Sequence, residues 1–378
     1  MGLHARVLLS LTWFLGLTIL VCSAPAQLHA EESFIGGLST ISTVSSTVPS
    51  NGDLNPYGIV RVPASSGSLV QGNFLISNFN NSTPPPGGSQ GRGSTIVQIT
   101  PGGKMSLFAR IDHDDARGCP GGVGLTTALV ALRKGWVIVG SLPTKDGTSA
   151  TATHTGCLFV LNKWGKVVET ITGNHINGPW DMTSVDSGSL ATLFVTNVLN
   201  GTVAANGTVV NGGTIVRILL AVSDDDTPKV LGSTIIGSGF SERTDAAALV
   251  IGPTGVAFDS RRGVLYVADS LNNRIAAIPN ALSRFTSAGT GKTVSENGAL
   301  NDPPGMALAP NGNIVTANGN DGNLVETEPD GDQVFVKLVD GTGGPPPGAG
   351  TLFGLIADDD VGIYFVDDGS NTLNLLGK

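Results

Sequence analysis

A unit of three short β-type stretches recurs six times along this chain, and that recurrence restricts the fold more than any other feature. The middle stretch is the clearest: GNFLISN (72–78), GWVIVGS (135–141), ATLFVTN (191–197), GVLYVAD (263–269), GNIVTAN (312–318) and GIYFVDD (362–368). Each copy is rich in β-branched and aromatic residues and is bounded by Gly, Asn or Asp, which suit tight turns. The next stretch follows in step: STIVQITPGGK (94–104), GCLFVLNKWGK (156–166), GTIVRILLA (213–221), NRIAAIPNA (273–281), GNLVETEPDGD (322–332) and NTLNLLGK (371–378). The opening stretch is a Gly followed by apolar residues, often after Pro. It occurs as Pro56-Tyr57-Gly58-Ile59, Pro179-Trp180-Asp181-Met182, Pro253-Thr254-Gly255-Val256, Pro303-Pro304-Gly305-Met306 and Leu352-Phe353-Gly354-Leu355, with a degenerate copy at Gly122-Val123-Gly124-Leu125. Self-similarity at this period specifies a propeller or a solenoid.

A fourth stretch follows in five copies: 106–111, 167–172, 229–236, near 292–295, and 333–339. The sixth copy ends at Lys378 without one. Residues 38–48, LSTISTVSSTV, are β-rich and precede the first opening strand, so they are expected to supply the missing outer strand and close the ring. The chain is therefore read as all-β: a six-bladed propeller of four-stranded antiparallel blades, one domain over residues 31–378. The blades fall near 55–111, 121–173, 178–237, 252–298, 303–340 and 351–378. The 53 glycines agree with many short strands joined by turns.

In the fourth blade, Pro253-Thr254-Gly255-Val256-Ala257, Gly263-Val264-Leu265-Tyr266-Val267-Ala268-Asp269-Ser270 and Asn272-Asn273-Arg274-Ile275 resemble an NHL repeat. The match is partial in the fifth and sixth blades, and the first three keep only the strand pattern. The resemblance implies a six-bladed, TolB-like propeller architecture. NHL-type propellers include binding scaffolds, lyases and lactonases, so the resemblance leaves the activity open. Asp269, Asn272 and Arg274 are expected to brace a turn.

A net charge of −9 offers no basic surface for nucleic acid. Arg6 and the apolar run 7–21, with cleavage expected after Ala26 or Ala30, read as a signal peptide over residues 1–30. No second apolar run follows, so no transmembrane segment is expected after the signal. The mature chain is expected to be exported, to the periplasm or beyond. There Cys119 and Cys157 are candidates for a disulfide.

The loops between second and third strands are long only in blades 1 to 3: 79–93, 142–155 and 198–211. His113, His154 and His175 are placed on that same face, with Asp112, Asp114 and Asp115 beside the first. Imidazoles and carboxylates together can hold a divalent metal, although solvated loop residues would look the same. Immediately before the repeat Gly stand Tyr57, Val123, Trp180, Thr254, Pro304 and Phe353. Asp181 replaces the Gly itself in blade 3. Tyr57, Trp180 and Phe353 could stack on a ligand, with Asp181 accepting a hydrogen bond or acting as a base, or they could pack between blades. SAGTGKT (287–293) ends like a phosphate-binding loop but has Thr286 where that loop needs Gly, and no helix is expected after it. Asp224 to Asp226 and Asp358 to Asp360 lack EF-hand spacing.

The sequence thus favours an exported binding protein without a cofactor, engaging an unidentified protein or small molecule through the loop face of blades 1 to 3. The alternative is a metal-assisted lyase or lactone hydrolase with its site at the channel mouth. Its base would be Asp181, with His113, His154 or His175 on the metal.

Overall fold

A computed structural model describes residues 1–2, 33–82, 90–116, 118–142, 155–245 and 248–378. The expected signal peptide from residue 3 onward and most of the blade 2 loop, including His154, lie outside the described residues. Six antiparallel sheets are arranged in a ring. Their innermost strands are Asp53–Arg61, Leu125–Ala131, Pro179–Asp186, Pro253–Asp259, Gly305–Leu308 and Leu352–Asp358. Each touches the next in that order, and the last touches the first. This is a six-bladed β-propeller, with almost no helix among the described residues.

Closure runs through the N-terminal strand. Thr40–Ser46 pairs antiparallel with Thr372–Gly377, with Thr40 opposite Gly377 and Ser46 opposite Thr372. The strand is largely exposed and adds little to the core. It is anchored by its ladder and by Ile35 and Leu38, buried against Val339, Phe365 and Leu376.

The core lies between blades, and blade 4 shows how a period of two builds it. Leu265, Val267 and Ile278 pack against Phe194, Ile215 and Phe240 of blade 3. The alternate residues Tyr266, Ala268 and Ile275 pack against Met306, Ile314 and Val325 of blade 5. Successive side chains of a strand point to opposite faces, so one strand serves two interfaces. Each buried Leu, Ile, Val or Phe contributes about 1.5–3 kcal/mol. Asp269 accepts hydrogen bonds from Asn272 (3.0 Å) and Arg274 Nε (2.9 Å), which fixes the turn of this blade.

The repeat Gly has a steric cause. A Cβ on Gly58 would meet the Thr127 carbonyl oxygen at 2.7 Å, one on Gly255 the Met306 nitrogen at 2.8 Å, and one on Gly305 would overlap the Phe353 carbonyl. At this level the inner strands of neighbouring blades touch through their backbones.

Two blades depart from expectation. In blade 2, Leu129 faces Val139 as Ile59 faces Ile76 in blade 1, after an irregularity between Leu125 and Leu129. Ala128 therefore takes the place of Gly58, and Thr127, not Val123, is the residue before it. The bulge hid this register, because it offsets the strand from the Gly122-Val123-Gly124 copy. Thr127 donates its hydroxyl to the Trp180 carbonyl of blade 3. In blade 3, the fourth strand extends over Lys229–Asp245 and pairs with a fifth, Leu249–Ile251. The loop before the third strand of that blade carries a short helix, Thr202–Ala205.

Candidate active site in the central channel

A cavity of about 400 Å³ runs along the inner strands. It extends from Tyr57 and Pro304 at one end to Arg61, Ser184, Leu308 and Ala357 at the other. Each inner strand has one ladder neighbour, so its remaining edge presents backbone N–H and C=O groups inward.

The end nearest the long loops is closed by packed rings. Tyr57 stacks on Phe353 (centroids 3.7 Å apart) and on Phe79 (4.5 Å), and Trp180 meets Phe79 edge-on at 5.6 Å. Leu142, Val198, Leu199, Leu249 and Val250 join the same cluster. Tyr57 and Trp180 are each 2% exposed. Of the three aromatics considered for ligand stacking, Tyr57 and Phe353 stack face to face and Trp180 packs edge-on against Tyr57 and Phe79, so all three sit in an interblade cluster. Burial, with Asp368 nearby, raises the Tyr57 hydroxyl well above its usual range.

Asp181 stands in the ring of positions occupied elsewhere by Gly58, Ala128, Gly255, Gly305 and Gly354. Its side chain bridges from blade 3 to blade 4. Oδ1 accepts the N–H of Met182 (2.8 Å) and Oδ2 the N–H of Val256 (3.1 Å). Its own N–H donates to Thr196 Oγ1 at 2.9 Å. Burial raises the carboxyl to about 7, against the opposing pull of those two N–H groups. It is the only carboxylate among the described residues lining the cavity, and no imidazole lines it.

The candidate metal ligands are not gathered here. His113 lies in the turn His113–Asp115 between blades 1 and 2, and His175 is exposed in the connection from blade 2 to blade 3. Asp112 pairs with Arg110 at 3.0 Å. Asp114 and Asp115 border a separate cavity against the outer strand of blade 2. Among the described residues, no three His, Cys, Asp or Glu side chains converge in a metal-holding group. Cys119 and Cys157 are joined in a disulfide with Cα atoms 5.5 Å apart, which ties the blade 1–2 connection to the third strand of blade 2.

Several buried acids escaped the sequence reading. Burial raises Asp302 to about 6, with the charge of Asp245 adding to the effect. Burial raises Asp368 to about 7, and Asp367 is raised by burial and by Asp340. Burial also raises Glu242 to about 7, against the hydrogen bond it accepts from Thr202. A signal for part of this existed. Each second strand carries a buried polar residue at the same place near its end: Asn78, Ser141, Asn197, Asp269, Asn318 and Asp367. The residue after it is apolar in blades 1 to 3 (Phe79, Leu142, Val198) and small or polar in blades 4 to 6 (Ser270, Gly319, Asp368). The first three close the channel end.

No family model matches the sequence, and no curated protein matches it. Solved structures do match. One is a catalytically inactive virginiamycin B lyase from Staphylococcus aureus with quinupristin: 13% identity, TM-score 0.47, covering 90% of this chain and 99% of that one. Regucalcin, a calcium-binding protein from Agrobacterium tumefaciens, is 14% identical with a TM-score of 0.51, covering 90% and 96%. The PQQ-bound aldose sugar dehydrogenase from Streptomyces coelicolor is 14% identical with a TM-score of 0.51, covering 89% and 97%. What they share with this chain is the fold. Activity has to be argued from residues.

Proposed function

We propose that this protein is an enzyme whose central channel holds a small molecule, with Asp181 transferring a proton in an elimination or a lactone opening. The observation that carries the reading is the placement of Asp181. It is the one acid at the narrow ring of the channel, and its carboxyl titrates at about 7 in a cavity of about 400 Å³. A group poised there populates both forms at neutral pH. The carboxylate takes a proton from carbon beside a carbonyl, or from an attacking water. The acid then returns it to the leaving oxygen. Inward-facing N–H groups of the inner strand edges are the donors available to a developing oxyanion.

This is the lyase or lactonase alternative in a form in which no metal is held by the channel residues. The loop-face binding reading rests on residues 79–93, 142–155 and 198–211, of which 83–89 and 143–154 lie outside the described residues. The Cys119–Cys157 disulfide and the N-terminal apolar run support a location outside the cytoplasm.

The test is an assay of the purified protein and Asp181→Asn against γ- and δ-lactones, and against esters whose β-elimination gives a conjugated product. Turnover is expected to follow a pH profile with an inflection near 7. The Asn variant should lose about 100-fold or more in kcat while still binding. Absence of turnover across both panels, or an Asn variant at the unsubstituted rate, overturns the proposal.

A further inference from the structure

On the face opposite the long loops, a further cavity of about 330 Å³ lies between blades 2 and 3. Three segments form it: the turn between the first two strands of blade 2, the turn between its last two strands, and the loop around Asp224 in blade 3. Trp164 stands at its edge and is 62% exposed. The other tryptophans among the described residues, Trp136 and Trp180, are 6% and 2% exposed.

The indole is held out by a rigid turn. Asn162 Oδ1 accepts the N–H groups of Trp164 (3.0 Å) and Lys166 (3.1 Å), and the Gly165 N–H donates to the Asn162 carbonyl at 2.9 Å. Asn162 and Gly165 suffice for that geometry, so the turn itself does not require a tryptophan. The opposite wall is fixed as well. Trp136 Nε1 donates to the Ser223 carbonyl at 2.7 Å, and Lys134 pairs with Asp224 at 3.4 Å.

We propose that this cavity binds a neutral saccharide, one pyranose ring lying on the Trp164 indole and its hydroxyls bonded by Asp224, Asp225 and Lys134. A pyranose presents an apolar face of C–H groups ringed by hydroxyls that both donate and accept. The cavity offers the complement: one aromatic face, two carboxylates that accept and ammonium groups that donate. Lys134 and Lys163 balance Asp224 and Asp225, which suits an uncharged ligand. The volume is that of a small-molecule site. A protein partner is less well matched, because an interface anchor sits within an apolar core. Here Val168 is the only aliphatic residue in the lining. The site is separate from the channel and does not depend on the role of Asp181.

Trp164 is the only largely exposed tryptophan among the described residues, so emission reports on this cavity. Cellohexaose, chitohexaose and maltohexaose are titrated into the purified full chain. At least one is expected to give a saturable emission change at millimolar concentration or below. Trp164→Ala should weaken binding, read by calorimetry, about tenfold or more. Trp164→Phe should lose less, and Asp224→Ala should also weaken it. Circular dichroism confirms that each variant is folded. No binding of any of the three sugars overturns the proposal, as does unchanged affinity in folded Trp164→Ala. A Trp164→Ala variant that dissociates an oligomer in sedimentation, without any saccharide effect, overturns it in favour of a protein contact.

Discussion

Glu326 of blade 5 accepts the backbone N–H of Ile35 at 2.8 Å, across a sequence separation of 291 residues. The same carboxylate accepts Phe34 N–H (3.0 Å), Ser33 Oγ (2.7 Å) and the side-chain amide of Asn313 (2.8 Å). It fastens the segment that leads into the ring-closing strand. Burial pushes this carboxyl up, but the donors outweigh that and hold it below its usual value. Glu326→Ala leaves buried donors unmet and should lower stability by about 3 kcal/mol, with Glu326→Gln losing less. Urea denaturation measures both. An Ala variant within 0.5 kcal/mol (about the noise of a neutral surface change) would show that the latch contributes nothing.

Gly305→Ala tests the inner ring. The added methyl overlaps the Phe353 carbonyl oxygen, and Leu355 lies 2.9 Å away on the same side. The strand must shift, at a cost of about 2–3 kcal/mol. Gly263→Ala is a useful contrast: its Cβ meets nothing within 4 Å, and its cost comes from a backbone φ of +66°. Denaturant midpoints of the two variants should therefore rank with Gly305→Ala the lower.

Stability should fall as pH rises through the weakly acidic range. Asp181, Glu242 and Asp368 are raised to about 7 and Asp302 to about 6, all by burial first. Their unfolded values lie near 4. Between those limits the folded state holds more protons than the unfolded state, so raising pH across the window favours unfolding. Glu326, Asp259 and Asp358 are shifted the other way, their hydrogen bonds outweighing burial. Their contribution is present above about 4 and is lost as pH falls through their lowered folded values. Urea midpoints at pH 5 should exceed those at pH 8, and Asp181→Asn with Glu242→Gln should narrow the gap. A higher midpoint at pH 8 would contradict this assignment.

Reduction of the Cys119–Cys157 bridge should weaken the protein. It spans 38 residues, which the chain-entropy model converts to about 4 kcal/mol as an upper figure. The Cys119→Ser/Cys157→Ser pair, compared with the oxidised protein by urea denaturation, should lose about 2–4 kcal/mol. Equal midpoints would mean that the loop is already constrained in the unfolded chain.

How far the sequence reveals this molecule depends on the range of the interaction. The second strands, such as 263–269, carry period-two alternation and turn residues within a few positions, so blade number and the closing strand were legible. The role of Gly58 was not, because its cause is the Thr127 carbonyl of another blade. For the same reason Asp181 could be noticed as a departure, while its contact with the Val256 N–H could not be foreseen. The blade 2 register was obscured by a bulge that no local residue announces. The repeat places the end of the fourth strand of blade 3 at residue 236, yet Gly237 to Asp245 continue it into a fifth strand that no other blade has among the described residues. Glu326 reads as one more acid in a strand until Ser33 to Ile35 are seen to lie against it.

The pairing of Thr40–Ser46 with Thr372–Gly377 also has a consequence for the order of events during synthesis. The outer strand of the last blade is made before blade 1, and its partner only after blade 5. Blades 1 to 5 can form while the ring stays open, as a crescent with an uncovered apolar blade face at each end. Only when the residues around 372 emerge does the crescent become a circle. An interruption shortly before that point leaves a nearly complete molecule with two uncovered apolar faces, which is a more hazardous species than a short fragment.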